Sequence, residues 1–455
     1  MKKILVVGAG RSSIYLIDYL LRNAAAEQWQ ITIADISIDN AIQKIGGHPD
    51  GIPIALDCNN SNERKAAIEN ADIVVSMLPA FMHFEIAKDC VTFGKHLATA
   101  SYVTKDLVSL HQDAKNKGLV FLNEIGLDPG IDHMSAMQII DTIRSEGGKI
   151  VSFKSYCGGL IAPECNDNPW GYKFTWNPRN VILAGNNGAQ FLKDGKLINL
   201  AYEEVFSSIE KLDVNGLGEF DAYPNRNSLD YKEIYGLADV STMIRGTLRS
   251  VGFCEAWKNI IQLGLTNDNF QIEILPEMTM KQMVACAFNN FKNKNESRSL
   301  QAYINDTVNQ TVYEKLDWLG IFSDDALSKY VSRTGNFKLS TAVLLQEILE
   351  KKWELKSLDK DMVVMHHSID YLIGNELYKV NSSLIVKGED QLHTAMAKTV
   401  GLPLGIGVKV MARGNFQQAG IVIPVNAEVY NPILKELAEN QIVFNEFTSK
   451  IEVKW

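Results

Sequence analysis

Several absences narrow the choice before any motif is considered. No block of Lys and Arg interrupts the chain, and Lys+Arg 45 against Asp+Glu 54 leaves a formal charge of -9, a sign that repels phosphate backbones. Nucleic acid is therefore not an expected partner. No uninterrupted apolar stretch approaches the ~18 residues of a bilayer crossing, so no membrane partner is expected. The opening Ile4-Leu5-Val6-Val7 runs into Gly8-Ala9-Gly10-Arg11 too soon to be the apolar part of a signal peptide. The six cysteines, Cys58, Cys90, Cys157, Cys165, Cys254 and Cys286, form no CxxC and no metal-type cluster with the eight histidines. No metal is expected, His366-His367 lacking a third ligand at useful spacing, and the compartment is expected to be reducing and cytoplasmic. With 32 Gly, 12 Pro and 46% hydrophobic residues, collagen, coiled coil and disorder are excluded. No repeat or low-complexity segment is visible.

What is present is a globular composition of 455 residues, about three units at ~150 residues each. The first third alternates short β-branched runs with helix-like segments, the pattern of a doubly wound parallel sheet. Strands are predicted at Lys3 to Val7, Ile31 to Ala34, Ile52 to Leu56, Ile73 to Met77, His96 to Thr99 and Val120 to Asn123. Crossover helices are predicted at Ile14 to Leu21, around Lys65 to Ile68, at Phe84 to Cys90 and at Leu107 to Asn116. The expected fold is α/β: a Rossmann-type doubly wound sheet with a second α+β substrate domain that carries an all-α insertion. The boundaries are expected at 1–128 for the dinucleotide domain, rejoined by about 395–455, at 129–238 with 354–394 for the substrate and dimerisation domain, and at 239–353 for the helical insertion. Strand-like alternation returns from Met362 to Val386, and a short strand is expected at Ile451-Glu452-Val453.

The sharpest local signal is Ile4-Leu5-Val6-Val7-Gly8-Ala9-Gly10-Arg11-Ser12-Ser13, a strand entering a glycine turn and then a helix. Gly8 permits the tight turn, Gly10 lets a pyrophosphate approach the backbone, and the amides of Arg11, Ser12 and Ser13 open the helix. Ser13 replaces the third glycine of the dinucleotide fingerprint and weakens the match. Asp35, 25 residues beyond Gly10 at the end of the second strand, suits the adenine ribose hydroxyls. A carboxylate there repels a 2′-phosphate and no arginine follows it, so NAD is the favoured cofactor; Ser37 and a rearranged loop leave NADP open. Met77-Leu78-Pro79, Ala100-Ser101-Tyr102 and Gly126-Leu127-Asp128-Pro129-Gly130 each follow a predicted strand. In an open parallel sheet these turns share one edge, where ligands bind; taken singly, Met77-Leu78-Pro79 and Pro129-Gly130 are each equally an ordinary turn.

The order of motifs resembles the glutamate-forming saccharopine dehydrogenases, also called saccharopine reductases. The matching pieces are Asn123 to His133, Cys157-Gly158-Gly159, Asn168 to Phe174, Tyr223 to Leu229, Thr242 to Arg249 and Ala395 to Pro403. With the glycine turn at Gly8 they run in one order along most of the chain, and the resemblance is weakest from Lys292 to Asp325 and at the C-terminus. It implies the interconversion of saccharopine with glutamate and 2-aminoadipate 6-semialdehyde, using NAD or NADP. Saccharopine carries several carboxylates and a secondary amine, so cationic donors are needed. The resemblance assigns Arg226 and Arg245 to carboxylate clamping, with Ser101 and Thr247 as hydroxyl contributors. It places Asp128, Cys157 and Tyr102 around the substrate; Met77, Leu78, Pro79 and Leu127, on the shared strand-end edge, are expected beside the cofactor. An arginine at such positions can equally form an ion pair, and Cys157 can equally be a small hydrophobe. His133 and the indoles of Trp176, Trp257 and Trp353 are expected to pack rather than react. Two other functions stay open: a related dehydrogenase of carboxylated polyamines, and a non-catalytic dinucleotide sensor. A homodimer is one expected assembly.

Overall fold

The computed structural model describes residues 1–292, 298–331 and 337–452. The chain divides into two compact units, Met1–Ile150 with Asp370–Trp455, and Val151–Ile369. It passes from one to the other inside the strand Lys149–Ile161 and returns inside the strand Asp361–Ile373. The sequence-based boundaries were placed at residues 128, 238, 353 and 394; by contacts, the division falls at residues 150 and 369.

The first unit is built on a seven-stranded sheet. Six strands are those expected from the sequence: β1 (Lys2–Val7), β2 (Trp29–Asp35), β3 (Gly51–Ala55), β4 (Ile73–Ser76), β5 (His96–Ala98) and β6 (Val120–Leu122). Their spatial order is β6-β5-β4-β1-β2-β3, and Gly420–Val422 adds a parallel strand beyond β6. Every neighbouring pair runs parallel. The central strands β4 and β6 are apolar without alternation because both faces are covered there, as parallel crossovers require: Ile73, Val74, Val75 and Phe121 are at most 1% exposed, whereas β2 alternates, with Gln30 and Thr32 half-buried. One face is packed by the helix Ile14–Glu27 and by Ala395–Ala412, which arrives from the far end of the chain. Ala395–Ala412 is long and apolar enough to cross a membrane by length and composition, yet 83% of it is buried inside the protein. Gly401 and Gly405 set how closely it approaches, since a Cβ on Gly401 would lie 2.7 Å from the Leu16 nitrogen and one on Gly405 2.7 Å from the Tyr19 ring.

The second unit carries a mixed sheet. Its strands are the body of β7 (Lys149–Ile161), then β8 (Ala189–Lys193), β9 (Lys196–Leu200), β10 (Glu210–Val214), β11 (Gly218–Pro224), β12 (Arg226–Asn227) and β13 (Thr242–Ser250). The main path runs β10-β11-β13-β7 and on to Asp361–Ile373, with β8, β9 and β12 alongside. Helices such as Phe253–Gln262, Met280–Phe291 and Thr341–Lys352 enclose a core with Trp170, Tyr172, Phe174, Phe253, Trp257 and Trp353 at its centre. Trp257 and Trp353 are buried and Trp176 packs against the same cluster, as expected of core residues.

Two elements differ from the sequence-based expectation. The segment 239–353, expected to be a mostly helical, all-α insertion, carries its helices but begins with β13 and contains Gln271–Ile274 paired with Phe337–Ser340. β13 is buried along nearly its whole length, so it lacks the alternation that marks a half-exposed strand. The final strand is Phe444–Ile451 rather than Ile451-Glu452-Val453; Val453 lies outside the described residues. Its side chains are largely exposed, leaving no apolar period to read.

Gly401→Val forces the two packed helices of the first unit apart. The expected loss is about 1–3 kcal/mol of unfolding free energy, the usual range for overpacking, measured by urea titration. Unchanged stability would contradict this account of the helix contact.

Candidate functional site

Covered faces leave the strand ends of the first unit as the place where polar groups gather. Gly8 ends β1 with φ +104, and its amide donates to the Ala34 oxygen at 2.8 Å. A Cβ at Gly8 would stand 3.2 Å from the Met77 backbone, so both conformation and crowding require glycine. Gly10 differs. Its backbone is extended (φ -72, ψ -168) and an added Cβ would meet nothing within 4 Å. Neither packing nor conformation demands glycine there. Arg11, Ser12 and Ser13 form a 3-10 turn leading into the helix Ile14–Glu27. Arg11 is exposed, Ser12 half-buried, and Ser13 is fully buried with its hydroxyl donating to the Gly10 oxygen at 2.8 Å. Asp35 is half-buried at the end of β2. One carboxylate oxygen accepts the Ala9 amide at 2.7 Å, and the other accepts the Ser37 amide at 3.0 Å and the Asn40 side chain at 3.1 Å.

The neighbouring strand ends adjoin this turn. The Met77 amide donates to the Val7 oxygen at 2.8 Å, with Leu78 half-buried and Pro79 exposed beyond it. From β5, the Ser101 carbonyl accepts the Glu124 amide at 3.1 Å, while a Cβ on Gly126 would lie 2.8 Å from that of Ala100. Tyr102 donates its phenol hydrogen to Asp128 at 2.7 Å. These two residues, both expected around the substrate, are therefore one hydrogen-bonded unit. Leu127 is buried and its oxygen accepts the Asp132 amide at 3.1 Å. His133, wholly buried, lies 2.9 Å from a Glu124 carboxylate oxygen, whose other oxygen accepts the Val103 amide at 2.9 Å. This ring of contacts ties the turn 126–130 to the segment after β5.

One residue in this cluster escaped the sequence reading. His83 opens the helix His83–Phe93 and is 1% exposed. Its Nδ1 is 2.8 Å from the Ser76 hydroxyl, and its Nε2 is 2.7 Å from the Ser101 hydroxyl and 3.4 Å from that of Thr99. Burial without an acidic partner pushes its pKa down to about 4, so the imidazole is neutral at ordinary pH.

In the second unit the sheet register gathers the remaining expected residues. Thr247 is opposite Cys157 on the parallel neighbour β7 and opposite Tyr223 on the antiparallel neighbour β11. Side chains two apart on a strand share a face, so Arg245, Thr247 and Arg249 stand in a row there with Cys157 and Tyr223. Arg245 is 9% exposed and its guanidinium sits 4.3 Å from the centre of the Tyr231 ring. The Asn225 amide donates to the Arg245 oxygen at 2.9 Å and its side chain to the Thr247 hydroxyl at 3.2 Å. That fixes the backbone next to Arg226, an exposed residue held at φ +53. This left-handed conformation costs a non-glycine residue roughly 1 kcal/mol or more. Arg249 was not singled out by the sequence, although it closes the matching stretch from Thr242. It is 4% exposed, stacks over Tyr172 and Phe253, and its Nε has no hydrogen-bond partner among the described residues.

A family model for the saccharopine dehydrogenase NADP binding domain matches residues 4–122, and one for the saccharopine dehydrogenase C-terminal domain matches 126–442. The chain belongs to the saccharopine dehydrogenase family. Among family members, the saccharopine dehydrogenase [NADP(+), L-glutamate-forming] of Pyricularia oryzae is 33% identical over 96% of this chain and 97% of its own length. The mitochondrial alpha-aminoadipic semialdehyde synthase of Bos taurus is also 33% identical, but this chain spans only 47% of its length. The solved apo saccharopine dehydrogenase (L-Glu forming) of Saccharomyces cerevisiae superposes with a TM-score of 0.84 at 29% identity, covering 99% of this chain and 100% of that one.

The family's dinucleotide-binding domain can be tested against this chain's own atoms, and the residues fit. Gly10 keeps open the space that a side chain would fill, the helix start offers amide donors, and Asp35 keeps acceptor capacity beyond its three protein donors. Gly10→Ala should therefore separate fold from ligand. Stability should stay within about 0.5 kcal/mol of the parent, while the dissociation constant for nicotinamide dinucleotide should rise at least about tenfold, as a methyl intrudes on the diphosphate path. Calorimetry and thermal melts read the two quantities; unaltered binding would overturn this account of the turn.

Proposed function

We propose that the protein is a nicotinamide-dependent, L-glutamate-forming saccharopine dehydrogenase of lysine metabolism. It oxidises saccharopine to glutamate and 2-aminoadipate 6-semialdehyde, or runs the reverse condensation. The observation that carries the reading is the row Arg245, Thr247 and Arg249 in register with Cys157. An anionic amino-acid conjugate needs buried cations that are not already neutralised, and Arg249 supplies an unsatisfied Nε. Arg245 and Arg226 are assigned to substrate carboxylates, with Thr247 and Ser101 as hydroxyl contributors.

The bound dinucleotide supplies the hydride acceptor. The chain's own residues handle protons and water. Oxidation needs the bridging nitrogen neutral, and Asp128, oriented by the Tyr102 phenol at 2.7 Å, accepts its proton. Water then adds to the imine carbon, and the same acid–phenol pair returns a proton to the departing glutamate amine. Cys157 hydrogen-bonds the amine or the attacking water. Much of the rate enhancement comes from alignment.

For the cofactor we propose NAD. The Asp35 carboxylate, held by the Ala9 and Ser37 amides, suits ribose hydroxyls and repels a 2′-phosphate. A second reading, NADP, is favoured by relatives named for NADP(+) and by the NADP binding domain description. A cytoplasmic setting is proposed because the cysteines form no disulfide among the described residues, which suits a reducing compartment.

A spectrophotometric assay tests the activity and the cofactor. Saccharopine should reduce NAD faster than NADP at equal concentration, and Asp35→Ser should move the preference toward NADP by at least about tenfold. Arg245→Ala should raise KM for saccharopine by about tenfold or more, the cost of one charge-assisted contact, with dinucleotide binding unchanged. No turnover with either cofactor in either direction would reject the activity; faster reduction of NADP would reject the cofactor assignment alone.

A further inference from the structure

The contacts of His83 decide more than its burial. Ser76 is 1% exposed, and His83 Nδ1, at 2.8 Å, is its side chain's hydrogen-bond partner among the described residues. On the opposite side of the ring, Nε2 is 2.7 Å from the Ser101 hydroxyl. Thr99, also 1% exposed, accepts the Ser101 amide at 3.3 Å and lies at a longer 3.4 Å from Nε2. A neutral imidazole has one N–H and one bare nitrogen, so two arrangements exist.

If Nδ1 carried the hydrogen, it would donate to Ser76, whose own buried hydrogen would then find no acceptor among the described residues. Bare Nε2 would take the Ser101 hydrogen at the short distance, and the Thr99 hydrogen would also be left over. Two buried hydroxyl hydrogens would be unplaced. If Nε2 carries the hydrogen, Ser76 donates to Nδ1, Nε2–H donates to Ser101, and only the Thr99 hydrogen is unplaced. Each buried unsatisfied donor is costly, so the second arrangement wins. Its consequence is directional. Ser101, already receiving a hydrogen bond from the ring, has its own O–H left to give, and Ser101 is only partly buried.

We propose that His83 is a positioning residue, fixed as the Nε2–H tautomer by Ser76, which makes the Ser101 hydroxyl a donor toward an anionic group of the substrate, a carboxylate. This rests on the reading that Ser101 meets a saccharopine carboxylate. The ring does not touch substrate and exchanges no proton with it. Burial holds the imidazole neutral, its pKa down at about 4, so the arrangement persists across the working pH range.

The test has two readouts on the full chain. Histidine-selective 15N spectra, with the His83 signals assigned by their loss in His83→Gln, should show a protonated Nε2 and a bare Nδ1, unchanged from pH 6 to pH 8. Ser76→Ala should erode that preference. In steady-state kinetics, Ser101→Ala and His83→Phe should each raise KM for saccharopine by about tenfold, with kcat within about threefold. The double variant should be no worse than Ser101→Ala alone, as expected of residues acting through one group. His83→Gln, whose amide N–H can replace Nε2–H, should recover part of the loss. A protonated Nδ1, an imidazolium, or effects that multiply in the double variant would overturn the proposal. If saccharopine is not turned over at all, the activity assignment fails, and the spectrum still decides the tautomer.

Discussion

A parallel sheet covered on both faces has no side on which to display polar side chains, and that constraint organises the first unit. Burying an unpaired polar group costs a few kcal/mol, so the strand interiors are apolar, as in Ile73, Val74 and Val75. In β4 and β6 the first polar side chain comes where the chain leaves the strand, at Ser76 and at Asn123. Gly8, Met77, Ser101 and the turn from Gly126 to Gly130 all occupy such points, and they adjoin because their strands do. The hydrogen bonds from Met77 to Val7 and from Glu124 to Ser101 make the edge a single piece of backbone rather than a set of independent loops. Side chains mounted on it are thus placed by the sheet itself.

The second unit solves the placement problem differently. Its polar row lies in the middle of β13 rather than at its end, and alternation along the strand does the selecting. Glycines let the neighbouring strands close in: a Cβ on Gly246 would fall 2.4 Å from the Tyr223 oxygen, and one on Gly158 would fall 2.7 Å from the Leu248 oxygen. Aromatic rings then serve as both packing and counter-surface for charge. Arg245 lies over Tyr231, and Arg249 over Tyr172 and Phe253. Guanidinium groups tolerate such surroundings because they are weakly hydrated and stack on rings.

Legibility in the sequence followed how local the determining physics was. The glycine turn after β1 could be read because Gly8 and Gly10 act within a few residues of the strand they end. The six early strands could be read because each is a short β-branched run bounded by helix-like segments. β13 could not, since a strand buried along both faces carries no period. His83 was invisible for a different reason: its contacts, Ser76 and Ser101, are 7 and 18 residues away, and only the sheet order brings the ends of β4 and β5 together. The pairing of Tyr102 with Asp128 likewise spans 26 residues. Both were singled out, but as separate contributors, through family resemblance rather than through any pattern that joined them. Arg249 belonged to a matching stretch, yet no sequence feature distinguishes a buried arginine from an exposed one.

The helix Ala395–Ala412 and the strand Gly420–Val422 complete the first unit from the opposite end of the polypeptide. During synthesis, the first 150 residues leave the ribosome with one sheet face only partly covered, by Ile14–Glu27, and β6 an open edge. At ordinary translation speeds of 5–20 residues per second, that interval lasts roughly 12–50 s before residue 400 is made. An apolar surface exposed for that long is a target for chaperones or for wrong pairing. The nascent dinucleotide unit cannot mature on its own, while Val151–Ile369, drawn from one unbroken stretch, has no such wait. The last-made segment therefore acts as the lock on the first-made one.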